Sequence, residues 1–333
     1  MTLKVALLGP SSLKGEKLLE LLDDADLAIE QLALFESEEA AGRSLMFRGH
    51  ACRTRPYSEF DAGAVRLVLV CEPVLDAETV SQLEQEQGAY VVDMYPERYT
   101  NSECCLVHPA VNGTVLESLD AGRVIGVPGS ATITAALGLA PLHAAYELLK
   151  VNLTVLVAAS EAEREGVEAL AQETARLLNG REPETGCFGD QLAFNLLPDV
   201  GEVLPDRTTR FETQVRTQLT QLLGEDLEIE VSAVRMPVFY GNLVMAQAET
   251  RQAVNLDKVQ ELMDRAPGVR YDHQPTRQPS LVKDAVGQEV AIVHRIRQDA
   301  EQAGGFALHL LGDDLGLGGA LAALQIAQRL PLA

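Results

Sequence analysis

From residue 4 the chain alternates short apolar runs with segments whose apolar positions recur at helical spacing. KVALLG (4–9), IEQLALFE (29–36), VRLVLVCEP (65–73), AYVVDMYP (89–96) and GRVIGVPG (122–129) read as strands. The leucines of 15–24 and the polar–apolar stretch 76–88 read as helices. Such alternation predicts a parallel sheet with helices on both faces, and the β-branched strands fit burial on both sides. From residue 150 the pattern changes to longer strands at 151–160, 227–239 and 243–250. These are separated by amphipathic helices at 165–180 and 209–224. That is an α+β arrangement whose sheet has a face available for another subunit. VIGVPGSATITAALGLAPL (124–142) runs from a strand through a Pro-Gly turn into a long apolar helix, with Ser130 at the joint. The closing helix, 318–330, is apolar nearly all round and reads as buried. Segments 181–191 and 197–208 read as irregular, and no internal repeat is present.

The length of 333 residues suits two domains, and 47% hydrophobic residues suffice for two cores. A net charge of −22 argues against nucleic acid or an anionic membrane as partner. MTLKVALLGP reads as a strand and not as a signal peptide. The apolar segment 124–149 contains His143 and Glu147 and is interrupted by Pro128 and Pro141, so it predicts a buried helix and not a membrane span. Five cysteines (Cys52, Cys71, Cys104, Cys105 and Cys187), odd in number and without paired spacing, predict reduced thiols in a cytoplasmic protein.

Gly9 and Gly15 frame the turn between the first strand and the first helix, six residues apart. This is the outline of a dinucleotide-binding loop, in which Gly9, Ser11, Ser12 and Gly15 would face the pyrophosphate. Ser12 stands at the middle glycine, and its Cβ crowds the backbone's approach. A turn that binds nothing is the alternative reading. Glu36 ends the second strand, where an acidic group accepts from ribose hydroxyls, and Glu36 with Glu39 disfavours a 2′-phosphate. The residues alone therefore favour NAD or nothing over NADP.

IGVPGSATI (125–133), VRMPVFYGN (234–242) and GDDLGLGGALAALQIAQRL (312–330), with VHPAVN (107–112), LAFNLLPDV (192–200) and IVHRIRQD (292–299), resemble segments of the aspartate-semialdehyde dehydrogenase family. The resemblance spans the whole chain. It implies an α/β fold: an N-terminal Rossmann-like parallel-sheet domain over 1–128 with 313–333, and an α+β dimerisation/catalytic-type domain with a large mixed sheet over 129–312. It also implies a homodimer, an NADP-dependent semialdehyde dehydrogenase ancestry, and Arg235 as the holder of a substrate carboxylate.

The departures fall on the chemistry. In register with the family's nucleophilic cysteine stands Ser130, and with its catalytic histidine Asn242. An unassisted serine is a poor substitute for a thiolate, and asparagine is no general base. Loss of a comparable nucleophile–base unit costs roughly 10⁶-fold. Val157 replaces a substrate-binding glutamine, although Ser160 persists; Phe211 and Gln214 replace a Glu and a Lys, leaving Glu212. Tyr99 stands at a phosphate-binding arginine, with Arg98 beside it, and Glu39-Ala40 replaces the pair that meets a 2′-phosphate. Asp314 takes the cofactor-side asparagine in the closing motif, where two cations are also lost. The pattern resembles the Usg-type paralogues, which lack the catalytic pair.

Ser130 reads as a helix cap standing where the nucleophile was. The serine-hydrolase reading lacks the G-x-S-x-G context, and His108, His143, His273, His294 and His309 show no ligand or triad spacing. The expected function is an inactive, dimeric binding or regulatory protein that takes a small carboxylate and holds NAD or NADP weakly or not at all. No metal, nucleic acid or membrane is expected. The alternative is an NAD(P)-dependent oxidoreductase acting on aspartate semialdehyde or a related aldehyde or acyl phosphate.

Overall fold

The computed structural model describes residues 3–74, 89–96, 99, 104–119, 124–273, 277–299, 302 and 304–332. The helix expected over 76–88 and Arg98 lie outside them. The chain divides into two units, 1–129 with 319–333, and 130–318.

The first unit is built on an eight-stranded sheet of β1 (Leu3–Leu8), β2 (Ile29–Glu36), β3 (Ser44–Phe47), β4 (His50–Pro56), β5 (Leu67–Val70), β6 (Tyr90–Asp93), β7 (Cys104–Leu106) and β8 (Val124–Gly126). Their order is β3-β4-β2-β1-β5-β6-β8-β7. All neighbours are parallel except the β3–β4 hairpin. Central-strand side chains such as Val5, Leu7, Val68, Leu69, Val91 and Val92 are wholly buried, as unbroken apolar strands require. Helix α1 (Leu13–Asp24) buries Leu18, Leu19 and Leu22 and packs on the closing helix.

The hairpin is an addition to the sequence expectation. Its two-residue turn, Arg48-Gly49, has positive φ at both positions, the primed geometry that suits strand twist. Arg48 is held there by its guanidinium, which donates from Nη2 to Ala25 O and Leu27 O.

The second unit carries a six-stranded mixed sheet of β9 (Leu148–Val157), β10 (Glu228–Arg235), β11 (Asn242–Thr250), β12 (Val269–Tyr271), β13 (Ala291–Gln298) and β14 (Gly305–Gly312). The order is β10-β9-β11-β14-β13-β12, with parallel pairs only at the two edges. Helix α2 (Ser130–Tyr146) lies across it, and Gly138 lets the helix approach closely: a Cβ there would fall 2.4 Å from Leu310 Cδ2. Helices α3 (Glu163–Leu178), α4 (Arg210–Leu223) and α5 (Leu256–Arg265) complete the unit. Along β9 and β11 buried residues alternate with half-exposed Thr154, Leu156, Leu243 and Met245, so one face is core and the other open. Among the described residues no helix is long and apolar enough to cross a membrane.

The expected tail boundary at 313 shifts. Residues 313–318 belong to the second unit because the Asp313 carboxylate accepts from Gly287, Leu315 and Gly316 N, tying this stretch to the β14 end. The closing segment begins as a π-helical turn (Gly316–Ala320) and becomes α6 (Leu321–Arg329).

Candidate functional site

The loop between β1 and α1 closes on itself. Ser12 caps α1, its Oγ accepting from Gly15 N at 3.0 Å while lying 2.9 Å from both Gly9 O and Cys71 O. Gly15 must stay bare: a Cβ would sit 2.1 Å from Gly9 O. Gly9 adopts φ 76°, and the Glu72 side chain fills the space beside it, its Cγ 2.5 Å from where a Cβ would be. Glu36 is buried, with Oε1 accepting from Ser11 N at 2.7 Å. Expected to reach outward to a ribose, it spends this oxygen on the loop instead. Glu72 Oε2 accepts from Tyr57 Oη at 2.9 Å, and burial, then Glu72, then Glu36, raise the Tyr57 phenol well above its ordinary value.

A nicotinamide dinucleotide needs backbone N–H groups aimed at its pyrophosphate. Here Ser11 N is taken by Glu36, Ser12 N by Gly9 O at 3.2 Å and Gly15 N by Ser12 Oγ. Two carboxylates border the same turn, and their charge disfavours a pyrophosphate there. The Tyr99 hydroxyl, at the family's phosphate-binding position, donates to Asp93 Oδ2 at 2.6 Å.

In the second unit Ser130 is the first residue of α2, not the residue before it. The bond seen for its hydroxyl is to a side chain: Oγ donates to Glu161 Oε2 at 3.4 Å. Gly318 permits this packing, since a Cβ there would lie 2.5 Å from Ser130 Cβ. Arg235, at the end of β10, is buried; Nη1 donates to Ala158 O at 3.2 Å and the guanidinium stands 4.9 Å over the Phe188 ring. Burial lowers its pKa, opposed by Glu161 and then Cys187.

Asn242 opens β11 at 2% exposure, and among the described residues neither Nδ2 nor Oδ1 has a hydrogen-bond partner. Asp314, expected on the cofactor side, lies in this unit, where the Ser160 hydroxyl donates to its Oδ2. Burial pushes its pKa up to about 7; the Ser160 bond opposes the rise and Asp313 adds to it. Glu212 has a structural task, completing a capping box with Thr209 and accepting from Ala233 N. The structure thus brings Ser130 near Glu161, Glu161 near Arg235, and Ser160 onto Asp314.

Glu161, Phe188 and Glu72 were not singled out from sequence. Glu161 lies 31 positions from Ser130, and only its place just after the retained Ser160 pointed to it. Among the described residues no three His, Cys, Asp or Glu side chains converge as a metal group.

Residues 4–119 match the family described as semialdehyde dehydrogenase, NAD binding domain, and residues 139–316 match semialdehyde dehydrogenase, dimerisation domain. The chain is 32% identical to a USG-1 protein homolog of Azotobacter vinelandii, over 98% of this chain and 97% of that one. It superposes on the crystal structure of aspartate semialdehyde dehydrogenase II complexed with ASA from Vibrio cholerae, with a TM-score of 0.93, 28% identity and 98% of each chain covered. It superposes on a probable aspartate-semialdehyde dehydrogenase from Pseudomonas aeruginosa, with a TM-score of 0.92, 30% identity and 98% of each chain covered.

Proposed function

The chain belongs to the semialdehyde dehydrogenase family, and from that premise we propose that it is a dimeric binding protein of the Usg type, which keeps the fold and has lost the dehydrogenase chemistry. The observation that carries this is the pair Ser130 and Asn242. The family's reaction needs a thiolate and a proton acceptor beside it. Ser130 offers a hydroxyl facing the Glu161 carboxylate, whose charge opposes an alkoxide at that oxygen. Asn242 takes up no proton near neutrality. The first unit supports the same reading: Glu36 and Glu72 border a loop whose Ser11, Ser12 and Gly15 amides are already bonded, so a dinucleotide is held weakly or not at all.

What remains suits a small carboxylate. Arg235 keeps its place at the end of β10, and a guanidinium binds a carboxylate bidentately. The dimerisation-domain match and the half-exposed face of the second sheet support a homodimer.

Phosphate-dependent oxidation of aspartate semialdehyde, assayed with NAD and with NADP, tests this. The native protein is expected to be silent; turnover by it would overturn the proposal. A Ser130→Cys, Asn242→His double variant separates two causes. Activity there would locate the whole loss at the reacting pair, and silence would extend it to the cofactor and phosphate sites.

A further inference from the structure

Arg235, Val157, Asn242 and Gly312 stand in one row across β10, β9, β11 and β14. They alternate with half-exposed neighbours and so share the core face of the sheet. Adjacent strands lie about 4.8 Å apart, which puts Arg235 and Asn242 roughly 10 Å apart with Val157 between them. Four buried polar atoms near Asn242 have no partner among the described residues: its own Nδ2 and Oδ1, Thr134 Oγ1 and Asp314 Oδ1. The backbone gathers them. A Cβ on Gly312, directly opposite Asn242, would fall 2.1 Å from Thr134 Oγ1, and Asp314 follows Gly312 by two residues. Buried polar atoms are normally bonded, and an unpaired buried amide is costly. Four of them at one end of a row that begins at Arg235 mark a place where another molecule completes the bonds.

We propose that this row binds a small aliphatic carboxylate ending in a primary carboxamide, its carboxylate on Arg235, its methylenes over Val157 and its carboxamide against Asn242. The proposal rests on the reading of Arg235 as a carboxylate holder. A primary amide is its own complement: the ligand carbonyl accepts from Asn242 Nδ2 and one ligand N–H donates to Asn242 Oδ1. The second ligand N–H serves Asp314 Oδ1. A carboxylate at that end has no N–H to give, leaves Asn242 Oδ1 unpaired and confronts the Asp314 carboxyl. The Glu161 charge acts on the Arg235 guanidinium and competes with a ligand carboxylate, so the carboxylate end binds modestly and the amide end carries the selectivity.

The test is calorimetric titration of the full-length native protein at pH 8 with succinamate, succinate and butyrate. Succinamate is expected to bind at least about tenfold tighter than the other two, the gain of one well-made buried hydrogen-bonded pair. Asn242→Leu is expected to abolish that preference. Succinate binding as tightly as succinamate would overturn the carboxamide inference and leave the Arg235 reading standing. Failure of all three to bind would overturn the Arg235 reading, and this inference with it. The preference is read on the native protein, so the result does not depend on the variant folding.

Discussion

Burial holds the Asp314 carboxyl at about 7, far above the 3.8 of an exposed aspartate, although Ser160 donates to it. The sign of the consequence follows from proton binding. Between 3.8 and 7 the folded chain holds a proton that the unfolded chain has released. The stabilisation is therefore complete below 3.8 and is lost as pH rises through 7. The full span amounts to roughly 4 kcal/mol for a shift of this size. Asp314→Asn, which restores the family's residue and still accepts from Ser160, is expected to unfold at higher temperature than the native protein at pH 8. The two proteins should converge toward pH 4. Parallel melting-temperature profiles for both would show that Asp314 is not the group responsible.

The turn between β7 and the following 3-10 helix (Gly113–Ser118) is a compact element that titrates the other way. Asn112 Oδ1 accepts from His108 N at 2.8 Å, Asn112 Nδ2 donates to Leu106 O at 2.9 Å, and His108 Nδ1 accepts from Ala110 N at 3.3 Å. Arg329 of α6 donates to Pro109 O at 2.8 Å. Burial, and then the Arg329 charge, lower the His108 pKa to about 4. This stabilisation is present above 6.5 and is lost as pH falls through 4, up to about 3 kcal/mol. Amide exchange at Val107, Val111 and Asn112, corrected for intrinsic rates, should lose protection between pH 6.5 and 4.5. In His108→Asn the loss should be smaller, and an unchanged pH dependence would remove His108 as its cause.

The same elements show what the sequence made legible. Apolar runs such as 4–9 and 65–73 disclosed the parallel strands because burial on both faces leaves a continuous apolar pattern. The β3–β4 hairpin stayed hidden because its turn is Arg-Gly, with the arginine's left-handed backbone supported by carbonyls more than twenty residues away. Strand β13 carries a motif but no strand pattern in sequence, since His294, Arg295 and Arg297 interrupt its apolar residues. Ser130, Arg235 and Asn242 were readable from motif register. Glu161 and Glu72 act through contacts between distant segments, which leave no local spacing to find.

Over the whole molecule, the proposed dimer turns on the open face of the second sheet. Register places Val234, Leu156, Leu243, Leu311 and Ile292 in one apolar row across five strands. Leu281 and Ala285 pack against its Leu243, Leu311 and Ile292 end, while Val234 and Leu156 at the other end stay half-exposed. The next row is Ser232, Thr154, Met245, His309 and His294; the one beyond it carries Glu230 at one edge and Arg297 at the other. The face therefore grades from apolar to charged, with acidic and basic groups on opposite edges, as a self-complementary surface requires. Sedimentation of the native protein should give twice the chain mass of 36.0 kDa. A Leu156→Glu, Met245→Glu variant places two carboxylates at the middle of this face, pointing away from the core, and should sediment as a folded monomer with unchanged circular dichroism. A native monomer would remove the dimer from the proposal, and a variant that stays dimeric would move the interface to another surface.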